Sequence, residues 1–136
     1  MELIVFDLDG TLLDAKGAIS DYTRETLVEL SKKGVAYTVA TGRTLHATTD
    51  LLDGRGLQLP LVFKNGVMIW DPENDYCSHQ NFLTLSEIGH VLEAMMDQRI
   101  TPFIFTYDPG VRHAIYHQPF QNDIERGLAK YFTSGD

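Results

Sequence analysis

In the first half of the chain the apolar residues fall in short unbroken runs separated by polar loops. Leu3-Ile4-Val5-Phe6 is apolar at every position and stops at Asp7-Leu8-Asp9-Gly10. Such a run predicts a strand buried on both faces, as in a parallel sheet. After a looser stretch opened by Gly17, Ser20 suits the N-cap of a helix over about 21–33, with Leu27 and Leu30 inward and Gly34 as its stop. Residues 35–40 predict a second strand ending in Thr41-Gly42-Arg43. A helix over about 44–52 follows, closed by Asp53-Gly54-Arg55-Gly56. Pro60 introduces a third strand, 61–63, which stops at Lys64-Asn65-Gly66. Alternating strands and helices predict a parallel sheet with right-handed crossovers and a ligand site off its carboxyl edge. Loops 7–14, 41–43 and 64–66 would gather there.

The pattern changes after Gly66. Segments 67–70 and 76–82 read as a hairpin around Asp71-Pro72-Glu73-Asn74-Asp75. A helix over 85–99 places Ile88, Val91, Leu92, Met95 and Met96 on one apolar core face, and Thr84 with Glu87 fits a capping box. Strands over 101–107 and 111–117 flank the turn sequence Asp108-Pro109-Gly110, and a last helix covers about 120–132. The expected architecture is thus α/β: a partial Rossmann-like parallel sheet with its hairpin over 1–82, then α+β material over 83–136.

Composition narrows the class. The 136 residues carry 11 Lys+Arg against 19 Asp+Glu, a formal charge of −8. That length suits one domain and is short for two complete ones. An acidic surface repels phosphate backbones, so no nucleic-acid partner is expected. No apolar run approaches the roughly 18–20 residues of a bilayer span, so no membrane partner is expected either. Glu2 follows Met1 where a signal peptide would be basic, and Cys77 is the single cysteine. The expectation is a soluble cytoplasmic protein with no disulfide and no cysteine zinc cage.

Phe6-Asp7-Leu8-Asp9-Gly10-Thr11-Leu12-Leu13 carries the chemistry. Two carboxylates at the end of a buried strand need a metal, a phosphate-bearing ligand or strong backbone donors. A plain Asp-rich turn is the alternative; a calcium loop fails because Gly10 comes too early and Ala18 stands where a bidentate Glu belongs. Arg43 either touches substrate or pairs with an acidic neighbour, and Lys64 is read as snorkelling to solvent beside the site. His46, His79 and His90 are scattered and read as surface residues. His113 and His117, about 13 Å apart along one strand, cannot share an ion. Tyr107, Arg112 and Tyr116 either read a substrate or serve as packing and solvated charge, and the second reading is preferred.

At these residues the chain resembles the haloacid dehalogenase superfamily, whose first motif is D-x-D-G-T after a strand. Val39-Ala40-Thr41-Gly42-Arg43 is similar to the second motif of its Cof-type branch, and Asn65-Gly66 to that branch's N-G-A segment, with Val67 in place of Ala. Residues 83–136 resemble the first part of a type IIB cap. The resemblance implies Asp7 as nucleophile forming an aspartyl-phosphate, and Asp9 as general acid and base. It implies phosphate contacts from Leu8, Gly10, Thr41, Gly42, Arg43 and Asn65, with Mg²⁺ on the Asp7 carboxylate and the Asp9 backbone carbonyl. A hard oxygen-bound cation suits a carboxylate attacking an anion. Gly42 N–H before a helix start also favours negative charge.

The family's later Lys and G-D-x-x-x-D motifs have no counterpart, since Gly135-Asp136 follows a helical rather than a strand pattern. The resemblance therefore implies the N-terminal part of a longer phosphatase, acting on small phosphorylated metabolites such as sugar phosphates. Two other readings stand beside it. One is a truncated chain without turnover that binds phosphate or a protein; the other is a phosphotransferase similar to phosphomannomutases. A half sheet would also expose a strand edge, so a homo-oligomer or swapped dimer is expected.

Overall fold

Leu3–Phe6 (β1) and Ala36–Val39 (β2) pair in parallel, with Leu3 opposite Ala36 and Phe6 opposite Val39. In this computed structural model, residues 3–52, 57–108 and 111–133 are described. The expected turn residues Asp53, Gly54, Arg55, Gly56, Pro109 and Gly110, and the terminal 134–136, lie outside that set, as do the side chains of Arg112 and His113. The chain divides into two units, 1–81 and 82–136.

In the first unit β1 and β2 are joined by helix α1, Asp21–Lys32. Ser20 caps it, its Oγ accepting the Thr23 N–H at 3.1 Å. The helix stops as expected at Gly34, whose φ of 71° lets its N–H reach the Ser31 carbonyl and the Val35 N–H reach that of Leu30. These two hydrogen bonds satisfy carbonyls that a helix end otherwise leaves bare.

Three expectations change. The segment after β2 forms one tight turn, His46–Thr48, and the single-turn helix α2, Thr49–Leu52, in place of a helix over 44–52. Threonine hydroxyls add to the backbone bonds of this turn: Thr48 Oγ1 donates to the Thr44 and Leu45 carbonyls and Thr49 Oγ1 to that of Leu45. The third strand, β3 (Leu61–Phe63), meets β2 through one parallel bridge, Ala40 to Val62. Its main pairing is antiparallel, to β4 (Met68–Asp71), which pairs in turn with β5 (Tyr76–Gln80). Finally, β1 is not buried on both faces: Leu3 and Val5 are 55% and 53% exposed. Among the described residues β1 pairs along one edge only. The core lies instead under the turn that follows it, where Leu8, Leu12, Leu13 and Leu27 are buried with Val39, Leu61 and Phe63.

The second unit contains α3 (Leu85–Asp97), the antiparallel pair β6 (Phe103–Asp108) and β7 (Val111–His117), and α4 (Asp123–Thr133). The capping box is present, with Thr84 Oγ1 accepting the Glu87 N–H and the Glu87 carboxylate accepting the Thr84 N–H. Helix α4 begins three residues later than expected because Asn122 Oδ1 accepts the Glu125 N–H and acts as its cap. Phe132 packs edge-on against Phe103 and Phe105, at centroid distances of 5.2 and 5.0 Å. The face of α3 read as core is half-covered at Ile88, Leu92 and Met95 and open at Val91 and Met96. The hairpin turns Phe103 and Phe105 to α4.

Candidate active site

The backbone leaves β1 in a wide turn. The Leu13 N–H reaches back to the Leu8 carbonyl at 2.9 Å and the Leu12 N–H to that of Asp7 at 3.3 Å. Gly10 sits inside this turn at φ 75°, ψ 4°, a conformation that L side chains rarely adopt. A Cβ built there would meet nothing within 4 Å, so backbone conformation and not space selects the glycine. The turn buries Leu8 and Leu12 and leaves Asp7 and Asp9 on the open side. Alternation about the turn thus places two carboxylates outward and two leucines inward. With its side chain buried, Leu8 has only backbone atoms to offer a ligand.

Beyond the turn, Leu13 bridges Ile19 and Asp14 Oδ1 accepts the N–H groups of Lys16 and Ala18. Asp14 thereby closes its own loop. The alternation around it gave no sign of this, since only the offsets of two and four residues carry it.

The second loop, Thr41-Gly42-Arg43, is tied to the third, Lys64-Asn65-Gly66. Asn65 N–H donates to the Thr41 carbonyl at 3.2 Å and Lys64 N–H to the Arg43 carbonyl at 3.1 Å. Both Lys64 and Asn65 hold positive φ, 50° and 55°, which turns their N–H groups back toward the second loop. Thr41 is buried, and its Oγ1 accepts the Arg43 N–H at 3.2 Å. Gly42 runs so close to Asn65 that a Cβ on it would lie 3.2 Å from Asn65 Oδ1. Among the described residues no helix begins directly after Gly42, since the first helical turn starts at His46, so the expected help from a helix N-terminus at Gly42 is not present.

The first loop joins the second through side chains. Arg43 Nε donates to Asp9 Oδ2 at 2.9 Å and Nη2 to Oδ1 at 2.8 Å. Of the two partners considered for Arg43, the acidic neighbour is present. The hydrogen bond from Arg43 holds the Asp9 carboxyl below the usual carboxylate range, against a smaller opposing push from burial. Lys64 is half-buried, and burial pushes its ammonium pKa down. His46, His79 and His90 are exposed, as expected. His117 stacks on Phe120 at 4.3 Å, and Tyr107 lies 6.1 Å from Phe82 in the second unit.

Among the described residues no group of three or more His, Cys, Asp and Glu side chains could hold a metal. Asp7 and Asp9 offer hard oxygen donors at one turn. That set suits Mg²⁺, which commonly takes one or two carboxylates and keeps waters or substrate oxygens for the rest.

A parallel β1–β2 pair with two carboxylates on the turn after β1, and two further loops bonded at the same edge, makes a polar site off the carboxyl ends of strands, where α/β proteins bind their ligands. The family model for haloacid dehalogenase-like hydrolases matches residues 4–132, and the chain belongs to that family. It is 41% identical over 71 residues to the 5-amino-6-(5-phospho-D-ribitylamino)uracil phosphatase YcsE of Bacillus subtilis, covering 52% of this chain and 28% of that protein. It is 30% identical over 130 residues to an HMP-PP phosphatase of Escherichia fergusonii, covering 90% of this chain and 47% of that one. In fold it resembles a haloacid dehalogenase-like hydrolase from Bacteroides thetaiotaomicron, with TM-score 0.74 and 24% identity, over 98% of this chain and 49% of the other. The chain thus spans less than half the length of each of these proteins. No helix among the described residues is long and apolar enough to cross a membrane.

Proposed function

We propose that this chain carries the nucleophile-bearing part of a Mg²⁺-dependent phosphatase for small phosphorylated metabolites. The observation that carries the reading is the placement of Asp7 and Asp9 on the open side of the turn after β1, at the edge where the Thr41 and Asn65 loops are bonded together. The relatives named as phosphatases support the same class. Sugar phosphates and related metabolites are the substrate class in this reading, and the cytoplasm is its location.

An Asp7 carboxylate oxygen attacks phosphorus and the bond to the substrate oxygen breaks, leaving an aspartyl-phosphate. Asp9 gives its proton to the departing alkoxide. In the second half Asp9 takes a proton from water as that water attacks the aspartyl-phosphate, which frees inorganic phosphate and restores Asp7. The Asp7 carboxylate and the Asp9 backbone carbonyl would hold Mg²⁺, which would supply the positive charge that lets an anion approach a carboxylate. Backbone groups of Leu8, Gly10 and Gly42, the Thr41 hydroxyl and the Asn65 amide are the neutral contacts for phosphoryl oxygens. Turnover of p-nitrophenyl phosphate with Mg²⁺, lost in Asp7→Asn, is the expected result. Equal rates in the two proteins would sink the reading.

One observation favours a second reading, a phosphate-binding module without turnover. The grip of Arg43 favours ionised Asp9, which suits a base and not an acid. Saturable binding of inorganic phosphate with no turnover at any Mg²⁺ concentration would select it. A phosphorylated product in place of free phosphate would instead select the phosphotransferase.

A further inference from the structure

Asp9 receives one edge of a guanidinium in two parallel bonds, Nε to Oδ2 at 2.9 Å and Nη2 to Oδ1 at 2.8 Å. This geometry fixes the plane of the carboxylate as well as its distance, which a single ammonium cannot do. Arg43 is held from behind by its own backbone. Its N–H donates to the buried Thr41 at 3.2 Å and its carbonyl accepts the Lys64 N–H at 3.1 Å. Thr41 in turn accepts the Asn65 N–H. A continuous line of bonds therefore runs from the loop after β3, through the backbone after β2, to a side chain on the turn after β1. The Asp9 side chain is 47% exposed and that of Arg43 only 21%. The better-held member of the pair is the arginine.

We propose that Arg43 is a positioning residue, which aims the Asp9 carboxylate from the second and third loops, and is not a ligand of the phosphoryl group. The guanidinium fork fits a phosphate as well as a carboxylate. The Nε–Nη2 edge is occupied by Asp9, which favours the positioning role. The proposal rests on the proton-transfer role given to Asp9 above.

The test uses the full chain with Arg43→Lys and Arg43→Ala. Kinetics on p-nitrophenyl phosphate are paired with inhibition by inorganic phosphate. A misaimed proton donor predicts kcat lower by about 10- to 100-fold in Arg43→Lys, with KM and the phosphate inhibition constant within about twofold. Added guanidinium ion should restore part of the rate of Arg43→Ala. KM and the inhibition constant rising about tenfold or more, with kcat kept at saturation, would make Arg43 a phosphate ligand and overturn the proposal. A second arm needs no turnover: the ¹³C resonance of Asp9 Cγ in the unliganded chain should move in Arg43→Lys, with amide signals outside the three loops unchanged. An unmoved Asp9 signal overturns the proposal whether or not the wild type hydrolyses anything. Absence of wild-type turnover with a moved Asp9 signal sinks the phosphatase reading and leaves the pairing standing.

Discussion

Gly42 and Asn65 approach so closely that a Cβ on Gly42 would stand 3.2 Å from Asn65 Oδ1. No positive φ requires glycine at 42, so the approach alone makes the position sensitive. Asn65 is exposed and its side chain is free to swing aside, which limits the cost in stability. Gly42→Ala should therefore change the unfolding free energy by less than about 0.5–1 kcal/mol, while shifting the Lys64 and Asn65 amide signals. Denaturant melts and an amide spectrum together check this. An unchanged spectrum would mean that the two loops do not meet.

Gly10 is the opposite case. Its surroundings are empty and its φ of 75° is the whole constraint. Gly10→Ala should cost about 1–2 kcal/mol, and Gly10→Asn less, because Asn tolerates the left-handed region better. Equal losses for the two variants in thermal melts would point to a steric cause that the open space around Gly10 contradicts.

The Arg43–Asp9 pair gives a pH dependence with a definite sign. The Asp9 carboxyl titrates below its unfolded value of about 3.9, so the folded state binds this proton less readily than the unfolded chain. Its contribution to stability is complete above that unfolded value and is lost as pH falls through the lower folded pKa. Asp9→Asn should accordingly melt below the wild type near neutral pH and converge with it in acid. Asp9 is about half exposed, so the difference is small and shrinks with salt. A gap that persists unchanged below the folded pKa would remove the pair as its source.

What the sequence made legible follows from the range of each interaction. The caps at Ser20, Gly34 and Thr84 with Glu87 depend on residues within a few positions, and all three form as read. The carboxyl-edge grouping of three loops was also legible, because strand order fixes it. The antiparallel turn of β3 onto β4 was not, since Leu61-Val62-Phe63 is apolar at each position and fits either direction. The partner of Arg43 lies 34 residues away and no local pattern selects it. The exposure of β1 was illegible for a related reason: the apolar run marks a surface that favours cover, and says nothing about which chain supplies it.

That uncovered strand carries the last prediction. Leu3, Ile4 and Val5 are all exposed, and among the described residues β1 forms the open edge of its two-stranded sheet. Unpaired backbone groups beside exposed apolar side chains are a template for another strand. Self-association is the expected behaviour, through a second copy adding to this edge, with a sedimentation coefficient that rises with concentration. Replacing Val5 by Lys places a charge on the exposed strand and should shift the equilibrium toward monomer at equal concentration. The second unit offers a competing surface at Val91 and Met96, both exposed on α3. Met96→Lys should leave the association unchanged if β1 is the seat of it. A wild-type chain that sediments as a single monomeric species across the concentration range would rule out the association, and dissociation by Met96→Lys alone would move it to α3.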